Sequence, residues 1–407
     1  LVPAPSIPIL APWIHQLALA ADQFVVHSTW AGDEGGYTLV AGYPWFGVWG
    51  RDAMIALPGL TVLTGRAETA RRILRTFARY VDRGMLPNVF PEDNGPPECN
   101  AVDVSLWYFE AIRQYFAVTR DRQLLAEVFP LLAEIVEWYI RGTRHSIHVD
   151  SADGLLYAGE PGRQLTWMDA KVDDLAVTPR IGKPVEVNAL WLNAIISLSQ
   201  FARALKKPGG RYVAMARKAR RGFKRFWNAS ANCCFDVIDG PGGNDASLRP
   251  NQIFAVSLPE SPLAPKQQRA VVDVCARHLL TPFGLRSLAP GDPRYRGCYG
   301  GSPRDRDAAY HQGTVWGWLL GHFVLAHLRA YRDPVRAASF LHAFEHHLSA
   351  HGMGTASEIF DGDVPFQSRG CIAQAWTVAE ILRAWVAAAS FRIKSKDAEA
   401  LKALLGW

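Results

Sequence analysis

The sequence predicts an all-α protein, an (α/α)6 barrel in which inner and outer helices alternate, with a small β-hairpin inserted. Two kinds of predicted helix take turns along the chain: amphipathic helices with one polar face, and helices that are apolar nearly all round. The 407 residues also exceed the usual size of a single compact core. A double ring of helices explains both observations, because its inner helices are buried on every side and its outer helices on one.

Twelve helical segments follow from the hydrophobic periodicity. The segment 66–82 places Ile73 and Phe77 on one stripe with arginines elsewhere, which is typical of an outer helix. The segment that starts at 102 carries apolar residues such as Val104 and Trp107 on all sides, which is typical of an inner helix. The predicted helices lie near 12–28, 52–64, 66–82, from 102 onward, 122–141, 187–203, 210–227, 251–258, 264–279, 314–329, 334–349 and 372–389.

A polar motif stands just before each of the six apolar helices. Helix capping explains one such motif, but six in phase indicate that the motifs meet at one mouth of the ring. A β-hairpin is predicted between Ser146 and Glu160, where Asp153 and Gly154 favour a turn. The six motifs are Trp-Gly-Arg-Asp (49–52), Cys-Asn-Ala-Val-Asp (99–103), Lys-Pro-Val-Glu-Val-Asn (183–188), Arg-Pro-Asn-Gln (249–252), Tyr-His-Gln-Gly-Thr (310–314) and Arg-Gly-Cys-Ile-Ala-Gln (369–374).

Composition and charge exclude several classes of protein. Hydrophobic residues make up 49% of the chain and Trp occurs 14 times, which indicates a globular protein rich in flat aromatic side chains. The net charge of +6 is spread along the chain, and the basic run 217–225 is expected to be a solvated helix face, so no nucleic-acid partner is predicted. No apolar run suggests a membrane span, and six cysteines without a CxxC pair favour reduced thiols in a cytoplasm.

Two glycine-rich loops carry acids that suit the cleavage of a glycosidic bond. Such cleavage needs one carboxylic acid to protonate the leaving oxygen and one carboxylate to activate water or attack the sugar. Asp169, beside Trp167 and Met168, is the expected general acid, because apolar packing would raise its pKa. Glu358 is the expected general base, and Asp361 in the following turn is the alternative.

Long motifs around these acids carry a family resemblance. They are Ala-Gly-Tyr-Pro-Trp-Phe-Gly-Val-Trp-Gly-Arg-Asp (41–52), Leu-Thr-Trp-Met-Asp-Ala-Lys-Val (165–172), Thr-Pro-Arg-Ile-Gly-Lys-Pro-Val-Glu-Val-Asn-Ala-Leu-Trp (178–191), Tyr-His-Gln-Gly-Thr-Val-Trp (310–316), Ser-Glu-Ile-Phe-Asp-Gly-Asp (357–363) and Cys-Ile-Ala-Gln-Ala-Trp (371–376). Together they resemble the amylo-α-1,6-glucosidase domain of glycogen debranching enzymes in its bacterial-type pattern. The resemblance covers nearly the whole chain.

The resemblance implies a complete set of expectations. It implies an (α/α)6 fold without metal or organic cofactor, and removal of single glucose units from α-1,6 branch stubs of glycogen or limit dextrin with inversion. Asp169 in Trp-Met-Asp matches the acid, and Glu358 in Ser-Glu-Ile-Phe matches the base. The family pattern and the proline-rich residues 1–8 predict one catalytic domain over 1–407 and a β-rich domain upstream of it.

The pocket is expected to bind an α-glucan through charged and aromatic side chains. Arg51 and Asp52 can hydrogen-bond neighbouring sugar hydroxyls, and charged partners make the stronger bonds. Aromatic rings either stack on sugar faces or fill the core, and for Trp376 core packing is expected. The predicted substrate-binding residues are Trp45, Phe46, Trp49, Arg51, Asp52, Trp167, Lys171, Arg180, Lys183, Glu186, Asn188, His311, Gln312 and Trp316.

Two other interpretations of the two acids remain open at this point, and one further motif suggests a metal site. Another (α/α)6 exo-glycosidase, of the glucoamylase or trehalase kind, would also place two acids in these loops. A non-catalytic glucan-binding module would keep an aromatic cleft but would have no need of both Asp169 and Glu358. The string His342-Ala-Phe-Glu-His346 matches a metalloprotease motif, but it falls on an outer helix without a third ligand, so no metal site is predicted.

Overall fold

The computed structural model describes residues 11–28, 36–91 and 95–391. The predicted proline-rich linker at 1–8 lies outside the described residues. Fourteen α-helices occur in the described ranges. In chain order they are α1 (Pro12–Gln23), α2 (Gly50–Leu57), α3 (Ala67–Ala78), α4 (Val104–Thr119), α5 (Arg122–Arg141), α6 (Val185–Ala204), α7 (Gly210–Gly222), α8 (Phe254–Ser257), α9 (Pro265–His278), α10 (Pro303–Ala309), α11 (Leu319–Tyr331), α12 (Pro334–Ser339), α13 (Ala343–Ala350) and α14 (Ala375–Ser390).

The six apolar helices contact one another in a cycle. Helix α2 contacts α4, α4 contacts α6, α6 contacts α8, α8 contacts α11, α11 contacts α14, and α14 returns to α2. The amphipathic helices pack outside this cycle, for example α7 against α6 and α9 against α11. The outer helix α3 shows the reason, since Ile73 and Phe77 are buried while Arg72 on the same helix is half exposed.

Several predicted helices have different bounds from those expected. The second helix ends at Leu57 and continues as a π-helical turn over Pro58–Val62. The short apolar segment near 251–258 begins as a 3₁₀ turn, Pro250–Ile253, before α8. The segment 334–349 is divided into α12 and α13. No helix in the described ranges has the length and apolar character that a bilayer-spanning segment requires.

Short strands line the connections between helices. The predicted hairpin between Ser146 and Glu160 is confirmed, with β6 and β7 antiparallel. In chain order the strands are β1 (Val25–Ser28), β2 (Gly36–Leu39), β3 (Gly42–Tyr43), β4 (Val48–Trp49), β5 (Val89–Phe90), β6 (His148–Val149), β7 (Leu156–Tyr157), β8 (Lys171–Val172), β9 (Leu175–Ala176), β10 (Lys183–Pro184), β11 (Trp227–Asn228), β12 (Cys233–Cys234), β13 (Val237–Gly240), β14 (Gly243–Asp245), β15 (Leu280–Thr281), β16 (Gly284–Arg286), β17 (Val315–Trp316), β18 (Ile359–Phe360), β19 (Ser368–Arg369) and β20 (Ala373–Gln374).

A five-stranded antiparallel sheet was not predicted. Its order is β15-β16-β17-β18-β19. Strand β17 places Trp316 opposite Leu285 on one side and Ile359 on the other, and β18 follows directly after Glu358. The sheet therefore fixes the loop of the predicted base beside the loop that precedes α11, and it explains why that helix begins at Leu319 and not near 314.

Candidate active site

One cavity of about 450 Å³ opens where the inner helices begin. Its wall comes from the segments that lead into α2, α6, α11 and α14. Of the six motifs predicted to meet at one mouth, those at 49–52, 310–314 and 369–374 contribute lining residues. The lining combines acids, one guanidinium and flat aromatic rings. The lining residues are Phe46, Trp49, Arg51, Asp52, Trp167, Asp169, Tyr310, Trp316, Glu358, Gln374 and Trp376.

Asp169 is held in the pocket by Arg51. The Nη1 of Arg51 donates to Oδ2 of Asp169 at 2.7 Å. The Nε and Nη2 edge of the same guanidinium donates to the buried carboxylate of Asp103 at 3.0 to 3.1 Å. Asp103, at the end of the second motif, therefore orients Arg51, and Arg51 in turn orients Asp169 through a charge-assisted bond.

The expected rise in the pKa of Asp169 is wrong. Burial acts in that direction, but the charge of Arg51 and a contact with His311 outweigh it and hold the pKa of Asp169 below its usual value. His311 is fully buried, and its Nε2 lies 3.8 Å from Oδ1 of Asp169. The expectation considered only Trp167 and Met168 as the environment of the acid, whereas Arg51, which is 118 residues distant in sequence, sets its charge state.

Glu358 is buried and is held by two donors. The Tyr310 hydroxyl donates to Oε1, and the backbone N–H of Cys371 donates to Oε2 at 2.9 Å. Burial raises the pKa of Glu358 to about 7, with these bonds acting in the opposite direction. Gly370, with φ +65°, lets the chain approach, because a Cβ there would collide with Oε2 of Glu358.

Asp361, the alternative base, lies outside the pocket lining. Its Oδ1 accepts the backbone N–H of Tyr299 at 2.7 Å, and its Oδ2 pairs with Arg369 at 3.0 Å. Both carboxylate oxygens are therefore used to join two loops. The geometry favours Glu358 over Asp361 as the acid that faces a substrate.

Asp52 is the third carboxyl group of the pocket. Its Oδ1 accepts from Nε2 of Gln374 at 3.2 Å. Burial raises the pKa of Asp52 to about 8, and the neighbouring Asp169 and Glu358 act in the same direction. A carboxyl group that keeps its proton near neutral pH can donate as well as accept, which suits a sugar hydroxyl.

Eight predicted binding residues lie outside the pocket lining, namely Trp45, Lys171, Arg180, Lys183, Glu186, Asn188, His311 and Gln312. Arg180 is buried and donates to Glu186 at 2.7 Å and to Asp236 at 2.7 Å. The polar residues Arg180 and Glu186, which suggested sugar contacts, thus belong to an internal ion network. Within it each charge is satisfied by protein partners.

Asn188 and Gln312 also bond within the protein. Asn188 accepts from the backbone N–H of Leu156 at 2.7 Å and donates to its carbonyl at 3.0 Å, which ties the hairpin to α6. Gln312 accepts from Arg249 at 2.7 Å. Trp45 is 60% exposed beside Phe46, with ring centroids 6.3 Å apart, so it stands at the rim of the mouth.

Lys183 lies within an acidic cluster. Its Nζ donates to Asp150, Asp153 and Asp239 at 2.7 to 2.8 Å. Among the described residues these three acids are the group with metal-ligand spacing. Lys183 lies between them and Arg225 pairs with two of them, so two cations of the protein offset most of their negative charge.

Sequence reasoning missed four residues of the site. Tyr310 and Gln374 stand inside motifs that were recognised, but the prediction named His311 and Gln312 in place of their neighbour Tyr310. Trp376 was expected in the core, and it both stacks on Trp318 at 4.9 Å and lines the pocket. Asp103 ended a recognised motif without an assigned role. Their position in or next to a recognised motif was the only signal in the sequence. Which side chain of a motif faces the pocket depends on long-range packing, which the sequence does not show.

The pocket places Asp169 and Glu358 among aromatic walls, with a fixed guanidinium beside Asp169, which is the kind of site that a glycoside hydrolase needs. The comparisons with known proteins agree. The family model described as amylo-alpha-1,6-glucosidase matches residues 19–383, and the chain belongs to this family.

One curated relative is distant in sequence and much longer than this chain. The glycogen debranching enzyme of Saccharomyces cerevisiae is 25% identical over 384 residues, which cover 71% of this chain and 25% of the yeast protein. The chain thus matches about a quarter of that relative's length.

Solved structures show the same fold at low identity. A GH63 mannosylglycerate hydrolase of Thermus thermophilus, solved with glucose, has a TM-score of 0.65 and 15% identity, covering 92% of this chain and 99% of that one. An uncharacterised conserved protein of the same organism has a TM-score of 0.67 and 16% identity, covering 91% and 99%. The chain therefore shares the fold of these two proteins.

Proposed function

We propose that this chain removes single glucose units from α-1,6 branch stubs of glycogen or limit dextrin, by inverting hydrolysis within an (α/α)6 barrel. Asp169 protonates the leaving oxygen, and Glu358 activates the water. The observation that carries the proposal is that both acids line one cavity in a chain of the amylo-alpha-1,6-glucosidase family. The six cysteines, all of them within the described residues, form no disulfide, which supports the proposed cytoplasmic location.

The inner end of the pocket supports removal of one terminal unit. Arg51 and Asp52 are 2% and 7% exposed and lie on the first turn of α2, where they can hold the hydroxyls of the sugar that is cleaved. Phe46, Trp49 and Trp316 supply apolar walls for its ring. A glucan chain is then accommodated by its terminal residue, with the rest of the branch outside the mouth.

The ionisation of the pair defines how the reaction begins. The pKa of Asp169 is lowered and that of Glu358 is raised to about 7. When the pH lies between the two pKa values, the pair of carboxyl groups therefore holds one proton, and this proton is mainly on Glu358. The reactive form carries the same single proton on Asp169. The reactive form is therefore the less populated form of the singly protonated pair. Sugar hydroxyls that compete for Arg51 would raise its population, because they weaken the interaction that keeps Asp169 ionised.

A panel of substrates tests the proposal. The purified chain is incubated with phosphorylase-limit dextrin, linear maltooligosaccharides, trehalose and mannosylglycerate, and free monosaccharide is measured. We expect glucose from limit dextrin at the highest kcat/KM. Preferred cleavage of maltooligosaccharides or trehalose would indicate another exo-glycosidase, and preferred cleavage of mannosylglycerate would indicate the activity named for the Thermus hydrolase. Binding of limit dextrin without any product would indicate a glucan-binding module.

A further inference from the structure

We propose that Tyr310 is the positioning residue of the base, which holds Glu358 in place and sets its proton affinity through a phenol-to-carboxylate hydrogen bond. This inference rests on the proposed function for its kinetic consequences. The contact itself lies within the protein, since the Tyr310 hydroxyl donates to Oε1 of Glu358.

The ring of Tyr310 is fixed from several directions. It packs against Trp316 at 4.8 Å and against Tyr299 at 5.6 Å between ring centroids. The backbone carbonyl of Tyr310 accepts from Nε1 of Trp316 at 3.0 Å. The packing of the ring therefore fixes the hydroxyl beside Glu358. Little conformational entropy is lost in orienting it when a substrate binds.

Tyr310 and the Cys371 backbone divide the two oxygens of Glu358 between them. The titratable groups that face Glu358 from the neighbouring elements are Asp52, Asp169, Tyr299, Tyr310 and Cys371. All of these are acids, and the guanidinium of the same pocket, Arg51, pairs with Asp103 and Asp169. Hydrogen bonds therefore favour the ionised form of Glu358, and Tyr310 supplies the side-chain donor beside the backbone donor of Cys371.

The phenol stays protonated over the working range. Burial and the adjacent Glu358 raise the pKa of Tyr310 well above its usual value, so its hydroxyl remains a donor. Removing the hydroxyl would leave Glu358 with the backbone donor of Cys371 alone. Its affinity for a proton would then increase, and the singly protonated pair would hold that proton on Glu358 more firmly.

The kinetic signature follows from the coupled pair. When the reactive form carries its one proton on Asp169, a higher proton affinity of Glu358 lowers the fraction in that form and moves the alkaline limb of kcat/KM to higher pH. A shift of about one pH unit corresponds to a fall of about tenfold on the plateau. Above the alkaline limb the two effects cancel, so the rates of variant and parent converge.

The experiment compares Tyr310→Phe with the parent protein and with Tyr295→Phe. Tyr295 is a matched control, because its hydroxyl donates to the carboxylate of Asp363 at 2.8 Å, in the loop that follows Glu358, and does not bond to Glu358. The pH profile of kcat/KM is measured on limit dextrin. The protonation of Glu358 is measured without substrate by infrared titration, with the Glu358→Gln variant subtracted.

We expect Tyr310→Phe to raise the infrared midpoint by about one pH unit, to lower the plateau by about tenfold and to converge with the parent at high pH, while Tyr295→Phe leaves the midpoint unchanged. An equal loss at every pH with an unchanged midpoint would show a merely structural role and overturn the proposal. If the alkaline limb of kcat/KM shifts while the plateau of kcat/KM is unchanged, the protonated form of Glu358 is the reactive one. Glu358 would then be the acid, and its role as the base would be overturned.

Two further controls keep the outcome decisive. If Tyr310→Phe does not fold, fluorotyrosine at position 310, which is a stronger donor, must move the infrared midpoint to lower pH, and an unchanged midpoint overturns the proposal. If the parent protein cleaves no α-glucan, the proposed function fails, whereas the infrared titration still decides whether Tyr310 sets the protonation of Glu358.

Discussion

Arg51 joins Asp169 to Asp103: its Nη1 lies 2.7 Å from Oδ2 of Asp169, and its opposite edge is held by the buried Asp103. A planar guanidinium can bond both acids at once, whereas an ammonium group is a point charge on a flexible chain. The fixed orientation of Asp169 thus depends on arginine and not on positive charge alone.

Arg51→Lys is therefore expected to lower kcat/KM by about 10² or more, because a small misplacement of a reacting group has an effect of this size. Arg113→Lys is the matched control, since Arg113 is a buried arginine paired with Glu110 on an inner helix away from the pocket. The control should lose stability while its folded fraction keeps kcat/KM. Near-parental activity of Arg51→Lys would contradict the role given to the guanidinium.

Asp169→Asn and Glu358→Gln should each remove nearly all turnover, by a factor of roughly 10² to 10⁴ or more, while the fold persists. Each change removes a carboxyl group that is proposed to transfer a proton and keeps the shape of the side chain. Asp361→Asn should retain most of the turnover, because Asp361 bonds to Tyr299 and Arg369 outside the pocket lining. Steady-state rates on limit dextrin, with circular dichroism as a check of folding, distinguish the two acids. Loss in Asp361→Asn and retention in Glu358→Gln would transfer the role of base to Asp361.

Glu358→Gln should also stabilise the folded protein in a pH-dependent way. The pKa of Glu358 is raised from 4.5 to about 7 on folding, so the ionised side chain disfavours the folded state above about pH 7, and this penalty disappears as the pH falls toward 4.5. Gln removes the penalty. We expect the variant to gain up to roughly 3 kcal/mol in free energy of unfolding at about pH 8 and little at about pH 5. Urea unfolding at the two pH values measures this, and an equal effect at both would show that the carboxyl group is not desolvated.

The helices could largely be predicted from the sequence, because amphipathic periodicity is a local property. Helix α5 begins and ends where the pattern placed it, at 122 and 141. The two-residue strands β17 and β18 could not be predicted, since alternation needs several residues to become visible. These two strands determine where Trp316 and Glu358 lie. The positions of both residues in the pocket therefore could not be predicted from the sequence.

The site shows the same division between local and long-range information. Both acids could be located from their loops, but the pKa of Asp169 depends on Arg51, which no window around residue 169 contains. Likewise Arg180 and Glu186 have the composition of a sugar site, and it is their pairing with each other and with Asp236 that makes them structural. Residue type indicated where polar chemistry is concentrated. Tertiary contacts decided which of those groups face the pocket.

The most direct test of the account is the anomeric form of the first product. Time-resolved proton NMR of limit dextrin with the purified chain should show β-glucose before mutarotation mixes the anomers, because a water activated by Glu358 attacks the face opposite the α-1,6 bond. Glucose should also be the released product, since the pocket is proposed to hold one terminal unit. Appearance of α-glucose first, or release of oligosaccharides in place of glucose, would contradict the proposed mechanism.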